Sequence, residues 1–336
     1  MLTAQPRLRA LPASVAAQLE AVRARVDAGR LRRHVERLDE PRSRRHAEAG
    51  MARAEAYVAR ELESAGWPVR RRKFTVPGGN AVGVNFIAGR SPANAPIVGA
   101  HLDTVPGSPG ADDNASAVAA LLELALILPE DRVRLVVFDE EETGLHGSRA
   151  IAREIGVGTT GGASTVDTPP AAVVVLECIG FYTSAAGTQR LPPGAAWLYP
   201  EQHRRLRRSG WPGDWTLLAY QRSSRRLTRM FAECLVHLRG QGSVLLARDP
   251  LDLPLAGPLL RRYVPLAQHF ARSDHKPFWE AGVPAIQVTD TADFRNPHYH
   301  LPSDTPETLD YERIADIVAA TAVTVSNLGA EVTGVG

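Results

Sequence analysis

Between Val98 and Leu124 the chain reads VGAHLDTVPGSPGADDNASAVAALLEL. One histidine, His101, and three aspartates, Asp103, Asp112 and Asp113, fall within thirteen residues there. Further along, Glu140, Glu141 and Glu142 follow RLVVF, Glu177 lies inside VVVLECIG, and RNPHYHLPSDT holds His298 and His300. Imidazole nitrogen and carboxylate oxygen are together the donor set of zinc and similar divalent ions. Each piece alone has an ordinary explanation. His-x-Asp after a strand is usually a loop, and ADDN before a helix is a favourable N-terminus for the helix dipole. Three adjacent glutamates are usually a solvated turn. Glu177 resists that treatment, because a carboxylate inside an apolar strand is buried and needs a cation or strong hydrogen bonds. A second imidazole is available from His298 or His300, and spacing alone does not choose between them.

The elements around these residues read as alternating strands and helices. Residues 12–38 have helical periodicity, with Val15, Leu19, Val22 and Val26 on one stripe. A second helix spans 47–66 and ends at Gly66-Trp67-Pro68. WPVRRRKFTV reads as an edge strand; AVGVNFIAG, APIVGAHLD, RVRLVVFDEEE and PAAVVVLECIG read as further strands. NASAVAALLELALIL is a helix with Asn114 or Ser116 as its cap, GLHGSRAIARE a short helix, residues 223–239 another, and ERIADIVAATAVTVSNLGAEV a closing one. Continuous Val/Ile/Leu runs suit strands covered on both faces. The alternation predicts an α/β fold: a mixed, mostly parallel twisted sheet with helices on both sides. In such sheets ligands sit beyond the carboxyl ends of the strands. Three neighbouring strands would then deliver His101 with Asp103, Glu140 to Glu142, and Glu177 to one crevice, and Asp113 would join them from the next helix. The pattern weakens over 187–215, where Pro, Gly and Trp are frequent, and the chain is loop-rich again over 249–275.

The remaining sequence properties exclude several classes. With 336 residues and 44% apolar content the chain has ample material for a core, and its net charge of +2 argues against a dedicated nucleic-acid binder. Cys178 and Cys234 stand far apart, outside any CxxC, so a thiolate site is not expected. No GxGxxG or GxxxxGK[ST] occurs. The first 38 residues lack the apolar core of a secretory signal and no stretch is long enough to span a bilayer, so a cytoplasmic protein without membrane contact is expected.

Five stretches in order, GAHLDTVPGSPGADDNASAVAALLEL, FDEEETGLHGS, LECIG, SDHKPFWEAGVPAIQVTD and YHLPSDTPETLD, closely resemble the M28 family of zinc peptidases, the co-catalytic aminopeptidases of the two-zinc type. The likeness covers roughly residues 50–325. It implies a single three-layer zinc-exopeptidase domain over 46–336, a helical extension over 1–45, and a loop-rich insertion at about 187–270. It implies two zinc ions, with cobalt or manganese as alternatives. His101, Asp113, Glu142, Glu177 and His300 become the ligands, with Asp113 bridging both metals. The frame selects Glu141 as general base, leaves Glu140 as an extra, and makes Asp103 the acid that orients the His101 ring. Asp112 is left to the helix start, and a cis peptide is implied at Asp113-Asn114. Glu177 stands where many members carry aspartate, and Ala117 where glycine is common.

The implied reaction is removal of N-terminal residues from peptides by a metal-activated water. Asp274 and His275, from the recurrent SDH, together with Tyr182, Arg295 and Asn296, are expected at the substrate. Tyr182 to Pro193 and Asp290 to Pro297 are expected to line the crevice, and His269 to be structural or exposed. A glutaminyl-cyclase-like acyltransferase with a tryptophan-lined pocket is the nearest alternative, through Trp197, Trp211, Trp215 and Trp279. A carboxypeptidase would be expected to carry a separate lid domain. A non-catalytic binding module would be expected to have lost ligands or the base.

Overall fold

The computed structural model describes residues 8–77, 81–90, 94–159, 169–252 and 269–329. Apolar runs form the strands β1 (Val69–Thr75), β2 (Val82–Ala88), β3 (Ile97–His101), β4 (Arg134–Phe138), β5 (Val173–Glu177), β6 (Thr216–Tyr220), β7 (Val244–Arg248) and β8 (Ala285–Thr289). They make one sheet in the order β1-β2-β4-β3-β5-β8-β6-β7. The middle four, β4, β3, β5 and β8, are mutually parallel, and their carboxyl ends share one edge. β1 is an edge strand, as its run of Arg70, Arg71, Arg72 and Lys73 suggests, since charge protects an exposed edge.

The helices are α1 (Ala13–Arg23), α2 (Ala28–Arg37), α3 (Glu48–Ser64), α4 (Ala117–Ala125), α5 (His146–Thr159), α6 (Ala195–Leu198), α7 (Pro200–Ser209), α8 (Arg225–Arg239), α9 (His275–Glu280) and α10 (Tyr311–Gly329). Side chains alternate across each strand, and the two faces have different cover. Val98, Ala100, Val137, Val174, Leu176 and Val288 pack with residues of α1, α2, α3, α4, α8 and α10. Ile97, Phe138, Val173 and Val175 face Ile151 and Ile155 of α5 and Phe278 of α9. On the same side, but farther along the sheet, Ala247 meets α6 and Leu245 meets Leu206 of α7.

Two features differ from the sequence expectation. Residues 12–38 form two helices: the first ends at Arg23, and Asp27 caps the second, accepting from the backbone N–H groups of Gly29 and Arg30. Leu19, Val26, Leu31, Val35 and Leu38 all enter the main core, so residue 45 marks no break in packing. Second, the span 187–270 supplies β6 and β7, which extend the sheet, beside α6, α7 and α8. DWTLLAY and SVLLAR are short runs among turn residues, which hid them as strands; residues 253–268 lie outside the described residues.

Candidate metal centre

The register of β3 against β5 brings the first two polar side chains together. Gly99 pairs with Val175, so His101 and Glu177, each two residues on, stand level on the same face. His101 Nε2 lies 3.1 Å from Glu177 Oε1 and 3.1 Å from Asp113 Oδ1. The longer arm of glutamate is accommodated by Ser273, whose hydroxyl donates to Glu177 Oε2 at 2.7 Å and leaves Oε1 facing His101.

Asp113 sits in a kinked turn, Ala111–Ser116, ahead of α4; its backbone and that of Asn114 are non-helical, and the bond between them is cis. The turn is held by side chains distant in sequence. Asp304 accepts the backbone N–H groups of Asp112 and Asp113 at 2.9 and 3.2 Å. That ties the stretch after His300 to the turn, and His300 Nε2 lies 3.0 Å from Asp113 Oδ2 and 3.4 Å from Glu142 Oε1. Neither Asn114 nor Ser116 caps α4 as expected. The Asn114 amide donates to Leu176 O and accepts from Cys178 N–H, which pins the turn to the end of β5. The Ser116 hydroxyl donates to Asp112 O.

Asp103 is placed differently from the expectation. The His101 ring Nδ1 faces the Asp103 main-chain carbonyl at 3.1 Å, with the carboxylate at 3.6 Å. That carboxylate instead accepts the N–H groups of Glu141 and Glu142, each at 3.1 Å. It therefore couples the loop after β3 to the loop after β4. Glu140 is no spare: it is buried, has a positive φ, pairs with Arg45 at 2.9 Å, and accepts from Thr143 at 2.6 Å. Asp112 does more than start a helix. Its carboxylate accepts from Gly180 N–H and from the Asn296 amide, both at 2.8 Å.

The electrostatics of the cluster call for cations. Burial pushes the Glu141 carboxyl well above its usual range despite His101 nearby, with Glu177, Asp274 and Glu142 adding to the rise. Burial and Asp113 bring Glu142 up to about 7. Burial works against ionised Asp113, yet the two imidazoles hold it well below the carboxylate range. His300 is raised to about 10, because Asp113 and Glu142 outweigh the effect of burial. Asp113 Oδ1, Glu142 Oε1 and His300 Nε2 are buried without a hydrogen-bond partner. Unpaired buried donor atoms of this kind fit a metal. Zinc bonds of about 2.0–2.1 Å in a tetrahedron set neighbouring ligand atoms roughly 3.3 Å apart, close to the spacings above. Among the described residues two triads meet the requirement, His101 with Asp113 and Glu177, and Asp113 with Glu142 and His300.

A cavity of about 370 Å³ opens from this cluster. Its floor follows from strand register. Glu177 pairs with Thr289, Thr289 with Leu217, and Leu217 with Leu245, so the four form a row on one sheet face. Three strand spacings of about 4.8 Å make that row roughly 14 Å long. Ala219, Ala247 and Gln287 widen the floor, while Tyr199 and Leu206 roof it. The cavity thus has an acidic end at Glu141, Glu142 and Glu177 and a mostly apolar remainder, in which Gln189, Gln202, Gln287, Arg272 and Asp293 are the main polar side chains.

The residues expected at the substrate lie behind this wall. Arg295 is buried, donates to Gln189 Oε1 and Trp215 O at 2.8 and 2.6 Å, and packs against the Trp215 and Tyr182 rings. Asn296 is committed to Asp112, and Tyr182 shares a 2.9 Å hydrogen bond with Thr216. His275 is fully buried, with Nε2 2.8 Å from Phe270 O, and Asp274 is fully buried beside it. The wall itself comes from Gln189, Leu191 and Pro192, from Thr291 to Phe294, and from the half-buried His269. Residues of RSRR at 42–45 also went unassigned, although Arg44 reaches Asp139 and Glu55 beneath the site. Their only sequence signal is a dense arginine run next to a helix start, which ordinarily means a solvated surface. Cys178 and Cys234 are both buried and free.

Four parallel strands of a mixed α/β sheet thus carry a paired imidazole and carboxylate cluster at their carboxyl edge, an arrangement that fits a metal-dependent hydrolase. The sequence profile of Peptidase family M28 matches residues 84–203 and 253–325. YfbL of Escherichia coli K12 is 31% identical over 281 residues, covering 79% of this chain and 77% of that protein. The chain belongs to peptidase family M28. In fold it is similar to the LapA aminopeptidase of Legionella pneumophila, with TM-score 0.65 and 16% identity over 97% of this chain and 78% of that one. It is equally similar to the glutaminyl cyclase of Macrostomum lignano, with TM-score 0.64 and 19% identity over 97% and 95% of the two chains. Membership supports metal-dependent hydrolysis of peptides. Among the described residues no helix is long and apolar enough to cross a membrane.

Proposed function

We propose that the protein is an aminopeptidase with a dinuclear zinc centre. The observation that carries this reading is the geometry of Asp113, whose two carboxylate oxygens face two different imidazoles, His101 at 3.1 Å and His300 at 3.0 Å. His101, Asp113 and Glu177 would hold one ion, and Asp113, Glu142 and His300 the other. When bound, such ions acidify water and polarise a carbonyl. Glu141 supplies the proton chemistry. Its carboxyl is raised by burial, which makes it a better proton acceptor than a solvated carboxylate. It takes the proton of the attacking water and passes it to the departing amine. Asp103 holds the Glu141 and Glu142 backbone in register with His101.

The acidic end of the cavity favours a free α-ammonium group, which places the first residue of a peptide there. The aliphatic remainder, with Leu191, Leu217 and Leu245, suits an apolar side chain at that residue. Of the tryptophans considered for a cyclase pocket, Trp215 lines the cavity, whereas Trp197 is 75% exposed and Trp279 packs beneath the sheet. That favours peptide hydrolysis over cyclisation. The test is metal analysis of purified protein with a panel of aminoacyl-p-nitroanilides, before and after chelation. Two metal equivalents, cleavage of apolar substrates, and loss of cleavage on chelation or Nα-acetylation are expected. Hydrolysis that survives complete metal removal would overturn the reading. Ammonia release from an N-terminal glutamine peptide without chain cleavage would replace it with the cyclase.

A further inference from the structure

Arg42 is fully buried, and its guanidinium meets only main-chain carbonyls among its hydrogen-bond acceptors. Nε donates to Leu102 O at 2.8 Å. One terminal nitrogen donates to Leu38 O, to Glu40 O at 3.0 Å and to Pro109 O at 2.6 Å, and the other to Gly110 O at 3.0 Å. The Arg42 backbone adds two bonds to the same loop: its N–H donates to Thr104 Oγ1 at 2.9 Å, and its carbonyl accepts Thr104 N–H at 2.8 Å. Leu102 directly follows His101, and Gly110 directly precedes the turn that carries Asp113. One rigid planar group therefore grips both ends of the loop that separates these two residues.

The surroundings leave this grip little slack. A Cβ at Gly110 would lie 2.6 Å from Thr104 Cγ2 and 3.1 Å from an Arg42 terminal nitrogen. On the opposite side α3 presses on the segment, since a Cβ at Gly50 would lie 2.1 Å from Pro41 O. Burial lowers the Arg42 pKa to about 10, opposed by Asp304, Asp113 and Asp103, so the group keeps its charge at neutral pH.

We propose that Arg42 is a positioning residue of the metal centre, fixing the span of the 102–110 loop and with it the separation of His101 from Asp113. This inference rests on the metal reading given above. A guanidinium can serve carbonyls in several directions within one plane, whereas an ammonium is a point donor on a flexible stem. Arg42→Lys therefore keeps the charge and loses the fork.

The test measures zinc affinity by chelator competition and the visible d–d spectrum of the cobalt-loaded protein. It compares wild type, Arg42→Lys, Thr104→Val and Arg134→Met, all shown to be folded by circular dichroism. Arg134 is a second buried arginine, at the amino-terminal start of β4 and so at the far edge of the sheet, and it serves as the control. Arg42→Lys is expected to weaken zinc binding about 10- to 100-fold, the size typical when a group supporting metal ligands is lost. Thr104→Val is expected to weaken it less, both variants to alter the cobalt spectrum, and Arg134→Met to leave affinity and spectrum unchanged. Wild-type affinity and spectrum in Arg42→Lys, or in Thr104→Val if the lysine variant does not fold, would overturn the proposal while the metal reading stands. Equal weakening in Arg134→Met would also overturn it, by reducing the effect to general destabilisation. Failure of the wild type to bind zinc would overturn the metal reading and this inference together.

Discussion

Replacing Asp103 by asparagine isolates the coupling between the two loops that carry His101 and Glu141. The wild-type carboxylate is buried and accepts two peptide N–H groups at 3.1 Å each. Hydrogen bonds to a charged group are worth about 1.5–3 kcal/mol each, and a neutral one about 1 kcal/mol. Asparagine keeps one oxygen, so the first contact loses about 0.5–2 kcal/mol. Its amide turns a donor toward the other N–H, which forfeits about 1.5–3 kcal/mol more. The sum is roughly 2–5 kcal/mol, a large part of the stability of an ordinary domain. Because both N–H groups belong to the residues assigned to proton transfer and metal binding, the loop shifts as well as weakens. A displacement near 1 Å in such groups costs about 10²-fold in rate. Urea denaturation and steady-state kinetics, both in excess zinc, would measure the two effects. Unchanged kcat with a stability loss under about 0.5 kcal/mol, the level of a neutral surface substitution, would refute the coupling.

Other outcomes follow from the same geometry. Glu141→Gln is expected to retain the metal complement of the wild type and to lose about 10²–10⁴ in kcat, which metal analysis and kinetics of one preparation would check. His275, held near 4 by burial against an ordinary 6.5, binds its proton more readily in the unfolded chain. Its contribution is therefore intact above pH 6.5 and is lost as pH falls toward 4, by about 3 kcal/mol in total. His275→Gln keeps a donor for Phe270 O, so it should flatten that part of the stability curve; parallel curves for both proteins would contradict the assignment. Ala219→Leu adds bulk to the cavity floor and should lower kcat/KM for phenylalanine substrates relative to alanine ones by about 10-fold or more. An unchanged ratio would mean that the side chain binds elsewhere.

Four of the five candidate ligands were marked as candidates by sitting where a local pattern ends, whereas the choice of His300 over His298 came from the family resemblance. His101 and Glu177 close apolar strands, Glu141 and Glu142 follow another, and Asp113 opens a helix. Residues whose place depends on partners far along the chain were not legible. Arg295 looks available in DFRNP, but Gln189 and Trp215, 106 and 80 residues away, claim it. Asp103 stands two residues after His101, yet the β3–β4 register turns its carboxylate toward the glutamate loop. Arg42 resembles any surface arginine until α3 and the 102–110 loop close around it.

The sequence by itself determined the donor types, their order, and the strand periodicity that fixes which side chains share a face. Those are local properties, set by residue chemistry and the two-residue repeat of a strand. Tertiary structure alone decided that α5 and α9 cover one part of a sheet face, leaving Thr289, Leu217 and Leu245 to floor a cavity beside the metal cluster. It also decided which polar groups face that cavity and which are spent holding its walls. Both depend on contacts between segments up to about two hundred residues apart, such as Asp304 with Asp112, and local patterning carries no record of them.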